Sequence, residues 1–476
     1  MANPEINLLG ITRGSVTAPA GCGKTQLIAD TLAAHSGTKP VLVLTHTNAG
    51  VAALRARFTA LRVPPNAYRL ATIDGWSMRL VSMFPTRSEL DATVLNLENP
   101  NQDYPAIRQA AIRLLASGAL DAALKSSYVH LIVDEYQDCS VPQHSLIWYT
   151  SLILPTCVLG DPLQAIFGFK GSPLIGWKTV QEHFADAGTL GVPWRWRNAG
   201  TEQFGLWLLA VREALRTGAP VDLTTFPSSV RWQPIDAANP HLARLSAAQT
   251  NAPNTAGRVL VVCGATNKAG QQELASQTPG AVTAEAVDMT DLLRFMRAYS
   301  PSAPPIGLQQ LFALAQSVMT NCGIAELNRR LDTLTRQTAR NPPNAVEKAA
   351  LDFLANATYS AAIELLHAMR EKEGVRVFRP AILRAALATF RAVDGTAISP
   401  VDAFVRVREE SRFTGRTLPR RSVGSTLLFK GLEAEVAVVM DAHELDAKNL
   451  YVAMTRGSQL LVVCSPTSTL NPPRVD

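Results

Sequence analysis

The stretch "SVTAPAGCGKTQLIADTLAAH", residues 15–35, leaves a chain few ways to fold. A short β-type run enters a turn built on Gly21 and Gly23, and a helix carrying Leu27, Ile28 and Leu32 leaves it. Strand, glycine turn and helix in succession are the repeating unit of a parallel α/β sheet. The glycines let the backbone N–H groups of Ala20, Gly21, Cys22 and Gly23 turn inward around phosphate oxygens, and the helix N-terminus adds a favourable field. Lys24 is placed to reach β/γ-phosphates, Thr25 to ligate Mg²⁺, and Gln26 follows in the same first turn. The general P-loop pattern has glycine where this chain has Ala18.

A second stretch, "HLIVDEYQDCS" at 130–140, ends an apolar run in acids. An apolar run of that kind predicts the end of a buried parallel strand, and the carboxyl ends of such strands are where open α/β sheets bind ligands. Asp134 fits the strand-end aspartate that shares Mg²⁺ with the P-loop hydroxyl. Glu135 beside it is placed to orient or deprotonate a water.

The bulk numbers narrow the class. The chain has 476 residues, 47% of them hydrophobic, ample for a large core and for about three domains at ~150 residues each. A formal charge of +6 is compatible with a polyanionic partner without requiring one. The six cysteines are scattered, with no C-x-x-C pair and no metal-ligand spacing, as expected of reduced thiols in a cytoplasmic protein. The N-terminus lacks a signal-peptide layout, and no run approaches a membrane span. We expect a cytoplasmic protein with no membrane partner.

Further signals follow in order: "THTNAG", "TIDGW", "GDPLQAIFGF", "WRWRN", "KGLE" and "YVAMTRG". With "APAGCGKT" and "VDEYQD" they make eight strings between residues 18 and 457, and their wording and order resemble the UvrD/Rep-like superfamily 1 helicases. The resemblance implies two RecA-like P-loop motor domains, each interrupted by a helical insertion, closing on ATP and Mg²⁺ between them. It implies hydrolysis that drives 3′→5′ movement along single-stranded DNA. By motif position, Gln164 would sense the γ-phosphate, and Arg197 and Arg456 would bring positive charge to it. Trp196 would stack on adenine, and Glu433 would contact the ribose region or the motor interface. Tyr136 and Gln137 would link the carboxylates to the second motor. On the DNA side, His46, Trp76, Phe167 and Phe169 occupy stacking or track-lining positions, with Thr45, Asn48, Thr72 and Lys170 as polar partners; core packing is the competing reading for each aromatic. RNA is not distinguished from DNA by these residues.

The likeness has gaps. No glutamine precedes the P-loop, Arg195 stands where asparagine is usual, Leu427 replaces a histidine before K-G-L-E, and Gly457 follows the motif arginine in place of alanine. The expected layout is 1–75 with 128–190 as the first motor, 76–127 as a small helical insertion, 191–267 with 406–476 as the second motor, and 268–405 as its insertion. Breaks at "SPSAPP" (300–305) and "NPPN" (341–344) divide the helices of the longer insertion. Arg406, Arg408, Arg412, Arg416, Arg420 and Arg421 are either a phosphate-contacting ribbon or a solvated face. No second acidic metal constellation is evident, so we expect no nuclease in this polypeptide. The layout is also similar to the UvrD-like subunit of Gabija-type antiphage defence, which works beside a separate OLD-type nuclease. The alternative is a nucleotide-switched DNA-end sensor or scaffold with little unwinding of its own.

Overall fold

Six strands pair side by side in the order β3-β2-β4-β5-β1-β6, every pair parallel. They are β1 (Arg13–Thr17), β2 (Val41–Thr45), β3 (Tyr68–Thr72), β4 (His130–Val133), β5 (Thr156–Gly160) and β6 (Ala185–Thr189). This computed structural model describes residues 6–168, 173–236, 238–413 and 419–473. The sheet lies in a first compact unit made of Met1–Val230, Leu445–Gln459 and Thr469–Asp476. Alternate residues of its central strands feed two cores, as a period of two demands. Val41, Val43, Ile132, Cys157 and Leu159 pack with Ile28, Leu32 and Phe58 on one face. Leu42, Leu44, Leu131, Val133 and Val158 pack with Trp76, Leu80, Leu114 and Ile147 on the other. With both faces covered, the register aligns the carboxyl ends: Thr17 opposes Gly160, Val133 opposes Val158, and Thr45 opposes Thr72. A short antiparallel pair, β7 (Val221–Asp222) with β16 (Thr469–Leu470), completes this unit.

The second unit, Arg231–Glu444 with Leu460–Ser468, carries most of a second six-stranded sheet. Its order is β10-β13-β9-β14-β15-β8, with β8 (Val230–Pro234), β9 (Val259–Cys263), β10 (Ala281–Thr283), β13 (Arg421–Ser425), β14 (Ala434–Val439) and β15 (Gly457–Ser465). The β10–β13, β13–β9 and β9–β14 pairs are parallel. The helices from Thr290–Ala298 through Pro400–Phe413 share a core of their own around Leu311, Phe312, Phe353, Leu366, Phe390 and Phe404. A short antiparallel pair, β11 (Met319–Thr320) with β12 (Arg376–Val377), also belongs to this unit. The expected breaks at 300–305 and 341–344 fall at or between helix ends, the second closed by an Asn344–Glu347 capping box.

The α/β class is the one the alternation predicts. Strands expected at 15–17, 41–45, 131–133, 156–159, 259–263, 436–440 and 460–464 all fall on strands. β3 and β6 give no comparable apolar run because both are sheet edges with half-exposed or exposed residues. Within the arginine cluster, Arg421 donates to Thr250 O (2.8 Å) and to Asn251 Oδ1 (3.0 Å), closing the end of the helix Pro240–Ala248. Arg408 pairs with Glu409. Arg416 and the Arg412 side chain lie outside the described residues.

The acidic segment after β4 is braced from behind by a polar chain. Tyr136 OH lies 2.8 Å from His144 Nδ1, and His144 Nε2 lies 2.7 Å from His183 Nδ1. Burial, with His183 nearby, lowers the His144 pKa from 6.5 to about 4, which favours the neutral ring. Because the folded-state value is the lower one, the unfolded chain takes up the proton first, and stability is lost as pH falls below about 6.5. Roughly 2 kcal/mol should be lost by about pH 5 through this group. Urea midpoints measured near neutrality and near pH 5 should fall for the parent chain and fall less for His144→Gln.

Candidate nucleotide site

The site is assembled from the carboxyl ends of β1, β4 and β5. β1 runs into the loop 18–23, where Ala18 N–H donates to Gly160 O (2.8 Å) and Cys22 N–H to Pro19 O (3.1 Å). Gly21 and Gly23 both have positive φ, 70° and 84°, which an L side chain adopts only with strain. Gly23 is the N-cap of the helix Lys24–Ala33 and supplies no side-chain cap. The first N–H groups of an α-helix have no carbonyl a turn earlier to bond, so this end is suited to an anion.

Lys24 Nζ lies 2.8 Å from Asp134 Oδ1 and also bonds Glu135 Oε1. Burial disfavours its charge, yet Asp134 and Glu135 more than offset that, and its pKa is raised. Burial likewise pushes Asp134 above the usual carboxylate range, against the pull of Lys24. Asp134 Oδ1 is buried and, despite its ion pair, makes no hydrogen bond of normal geometry. A buried carboxylate oxygen at the end of β4, held only by an ion pair, suits a hard cation. Among the described residues no group of three or more His, Cys, Asp or Glu could hold a metal alone.

Glu135 is held with φ 54° and ψ 40°, left-handed for a residue with a Cβ. Such a backbone costs on the order of 1–3 kcal/mol and persists only where the surroundings fix it. What fixes it is visible: Glu135 bonds Lys24 and also accepts from Gln137 Nε2. Gln137 Oε1 in turn accepts from Asp161 N–H (3.1 Å). Gly160 leaves room for that oxygen, since a Cβ there would meet it at 2.6 Å. Asp161 Oδ2 accepts from Gln164 Nε2 (3.0 Å), and Asp161 Oδ1 receives Arg212 Nη2 (2.9 Å).

The helix Trp194–Asn198 sits against the loop. Arg195 N–H donates to Gly21 O (3.0 Å), and a Cβ on Gly21 would strike the Trp196 ring at 2.5 Å. Trp196 is 1% exposed, packs edge-on against Phe204 and donates its indole N–H to Gly457 O (3.0 Å). The half-buried neighbouring ring is Trp194, against Gly23, with the Arg197 guanidinium 5.0 Å over it. Arg197 is exposed and pairs with Glu202. Arg456 is buried, donating to Val452 O (2.8 Å) and Thr455 Oγ1 (2.8 Å). Ala20 N–H donates to Tyr451 OH (3.2 Å), and Gln26 bonds Asp30 and Arg57.

Lys24, Asp134 and Glu135 are in contact, and Thr25, Gln164, Trp196, Arg197 and Arg456 lie in the same unit, whereas Glu433 is exposed in the second unit. Asp161, Arg212, Tyr451 and Trp194 join the site without having been singled out from the sequence. Tyr451 and Trp194 lie in or beside recognised strings. Arg212 left one signal, a cation within the apolar stripe Phe204, Leu208, Val211, Leu215. Of the expected DNA-contacting residues, Thr45 and Thr72 end adjacent strands, His46 and Phe167 are half-buried, Asn48 is exposed, and Trp76 is buried in the core. Thr72 caps the helix Ile73–Met83 through Gly75 N–H (3.0 Å), and the Thr45 hydroxyl is buried without a partner. Phe169 and Lys170 lie outside the described residues.

Residues 91–185 match the UvrD/REP helicase N-terminal domain, a stretch that includes Asp134, Glu135, Gln137, Asp161 and Gln164. No curated protein matches the chain. Among solved structures, an Arterivirus nonstructural protein 10 (helicase) in complex with DNA is similar at 10% identity and a TM-score of 0.36, over 97% of this chain and 62% of that one. No described helix is long and apolar enough to cross a membrane.

Proposed function

We propose that the chain is an ATP-dependent translocase or helicase on single-stranded DNA. The observation that carries this is the Lys24–Asp134–Glu135 cluster at the mouth of a glycine loop, inside one compact unit with Gln164 and Arg456. Lys24, released from its carboxylates, would bind the β/γ-phosphates of ATP, with the loop's N–H groups holding the rest. Glu135, oriented by Gln137, would take the proton of the attacking water. Mg²⁺, when bound, neutralises phosphate charge, and Thr25 and Asp134 are the residues that would hold it. Arg197 and Arg456 would exchange their bonds to Glu202 and Val452 for a phosphate.

The 3′→5′ polarity and an OLD-type nuclease partner in antiphage defence rest on the motif resemblance alone. The second reading, a nucleotide-switched sensor or scaffold with little unwinding, is favoured by one observation: the Arg456 guanidinium is buried and donates to Val452 O and Thr455 Oγ1 in its own helix end.

ATP hydrolysis by the full chain, with and without single-stranded DNA, separates these readings. The parent should turn over ATP and be stimulated by DNA. Glu135→Gln should lose roughly a hundredfold or more in kcat while still binding nucleotide, as expected for loss of a general base. Lys24→Ala should lose nucleotide binding as well. Normal turnover in either variant would sink the assignment, and binding without turnover in the parent would select the switch. Trp196 tests the packing separately. Trp196→Ala should cost about 3–5 kcal/mol in unfolding free energy, the range for deleting a large aromatic from a core, measured by urea denaturation.

A further inference from the structure

Asp161 is 1% exposed and every described bond it makes points back to the candidate site. Its N–H donates to Gln137 Oε1 (3.1 Å), and Gln137 holds Glu135. Its Oδ2 holds Gln164 Nε2 (3.0 Å). Its Oδ1 accepts from Leu163 N–H (3.3 Å) and from both Nε (3.2 Å) and Nη2 (2.9 Å) of Arg212. Arg212 is itself 8% exposed, in the helix Glu202–Thr217, far from Asp161 in sequence. Without the Arg212 fork the buried carboxylate would lose the donors that fix its plane, and its second oxygen would cease to be a fixed acceptor for Gln164.

We propose that Arg212 is a positioning residue for ATP turnover, holding the Asp161 carboxylate in one orientation so that Gln164 and, through Gln137, Glu135 stay aligned for the reaction. The inference rests on ATP hydrolysis at this site. Arg212 touches neither phosphate nor water in this scheme; it acts through one carboxylate whose two oxygens and N–H serve three different partners. The guanidinium is suited to this because its planar fork fixes the carboxylate plane, whereas an ammonium makes only a point contact.

A purely structural ion pair would, on removal, lower stability and weaken nucleotide binding and turnover together. A positioning role splits them. In the full chain, Arg212→Gln should lower kcat for ATP by about ten- to a hundredfold, the scale of a small misplacement of reacting groups. The Kd for a fluorescent ATP analogue should stay within about twofold of the parent. Arg212→Lys, which keeps the charge and guards against a variant that fails to fold, should recover part of kcat. Arg212→Gln should lower kcat by a smaller factor in a Gln164→Ala background than in the parent, because part of its effect runs through Gln164. Unchanged kcat in Arg212→Gln, a parallel loss of nucleotide affinity, or fully multiplicative losses in the double variant would overturn the inference while leaving ATP hydrolysis intact. A parent chain that binds ATP and never turns it over would overturn the hydrolysis reading, and this inference with it.

Discussion

One ammonium held between two carboxylates organises the first unit. Lys24 leaves the helix that follows β1, while Asp134 and Glu135 leave the end of β4, and β5 lies between those two strands. The contact can form only if β1, β5 and β4 are parallel and in register, so that their carboxyl ends reach the same level. A slip of one residue would turn each strand's side chains to the wrong face and empty both cores at once. The register that buries Val43, Ile132 and Leu159 is therefore the one that delivers Lys24 to its acids. The arrangement is also unbalanced: two carboxylates share one cation, and burial already pushes Asp134 toward its neutral form. A site with surplus negative charge beside an N–H-lined turn is poised to exchange internal contacts for ligand contacts.

The strained backbone at Glu135 follows from the same crowding. β4 must end with Asp134 still tied to Leu44 O (2.8 Å), and the next residue must turn back toward Lys24. The left-handed conformation achieves that turn, and the Glu135–Gln137–Asp161 chain retains it. Gly160 is part of the same solution, because a side chain at the end of β5 would displace the Gln137 oxygen. Removing the glutamate's partners should therefore relax the backbone as well as free the side chain.

Much of this is legible in the sequence. The apolar runs give the central strands because strands buried on both faces have almost no other composition. The glycine loop and the acids at 134 and 135 are legible because phosphate and metal chemistry restricts the residue types sharply. Edge strands such as β6 were not legible, since one exposed face removes the apolar signal. The aromatics were legible only as alternatives. Trp76 and Trp196 stand at motif positions, yet both are buried, and an indole against a glycine loop satisfies core packing as well as motif spacing.

Arg212 shows why the remainder was hidden. Its helix reads as an ordinary amphipathic segment, and a cation within the apolar stripe suggests from sequence a snorkelling side chain at a solvent boundary. Only the tertiary contact with Asp161 reveals that the charge is matched inside. A short string fixes residues adjacent in sequence, so it can specify the glycine loop or the paired acids. It cannot specify a partner some fifty positions away, where the requirement is one opposite charge at one depth. Buried ion pairs of this type are costly to break and weak as net stabilisers. Their placement beside Gln164 and Glu135 is better accounted for by orientation than by stability, since an apolar pair could fill the same volume but could not hold an amide in one direction.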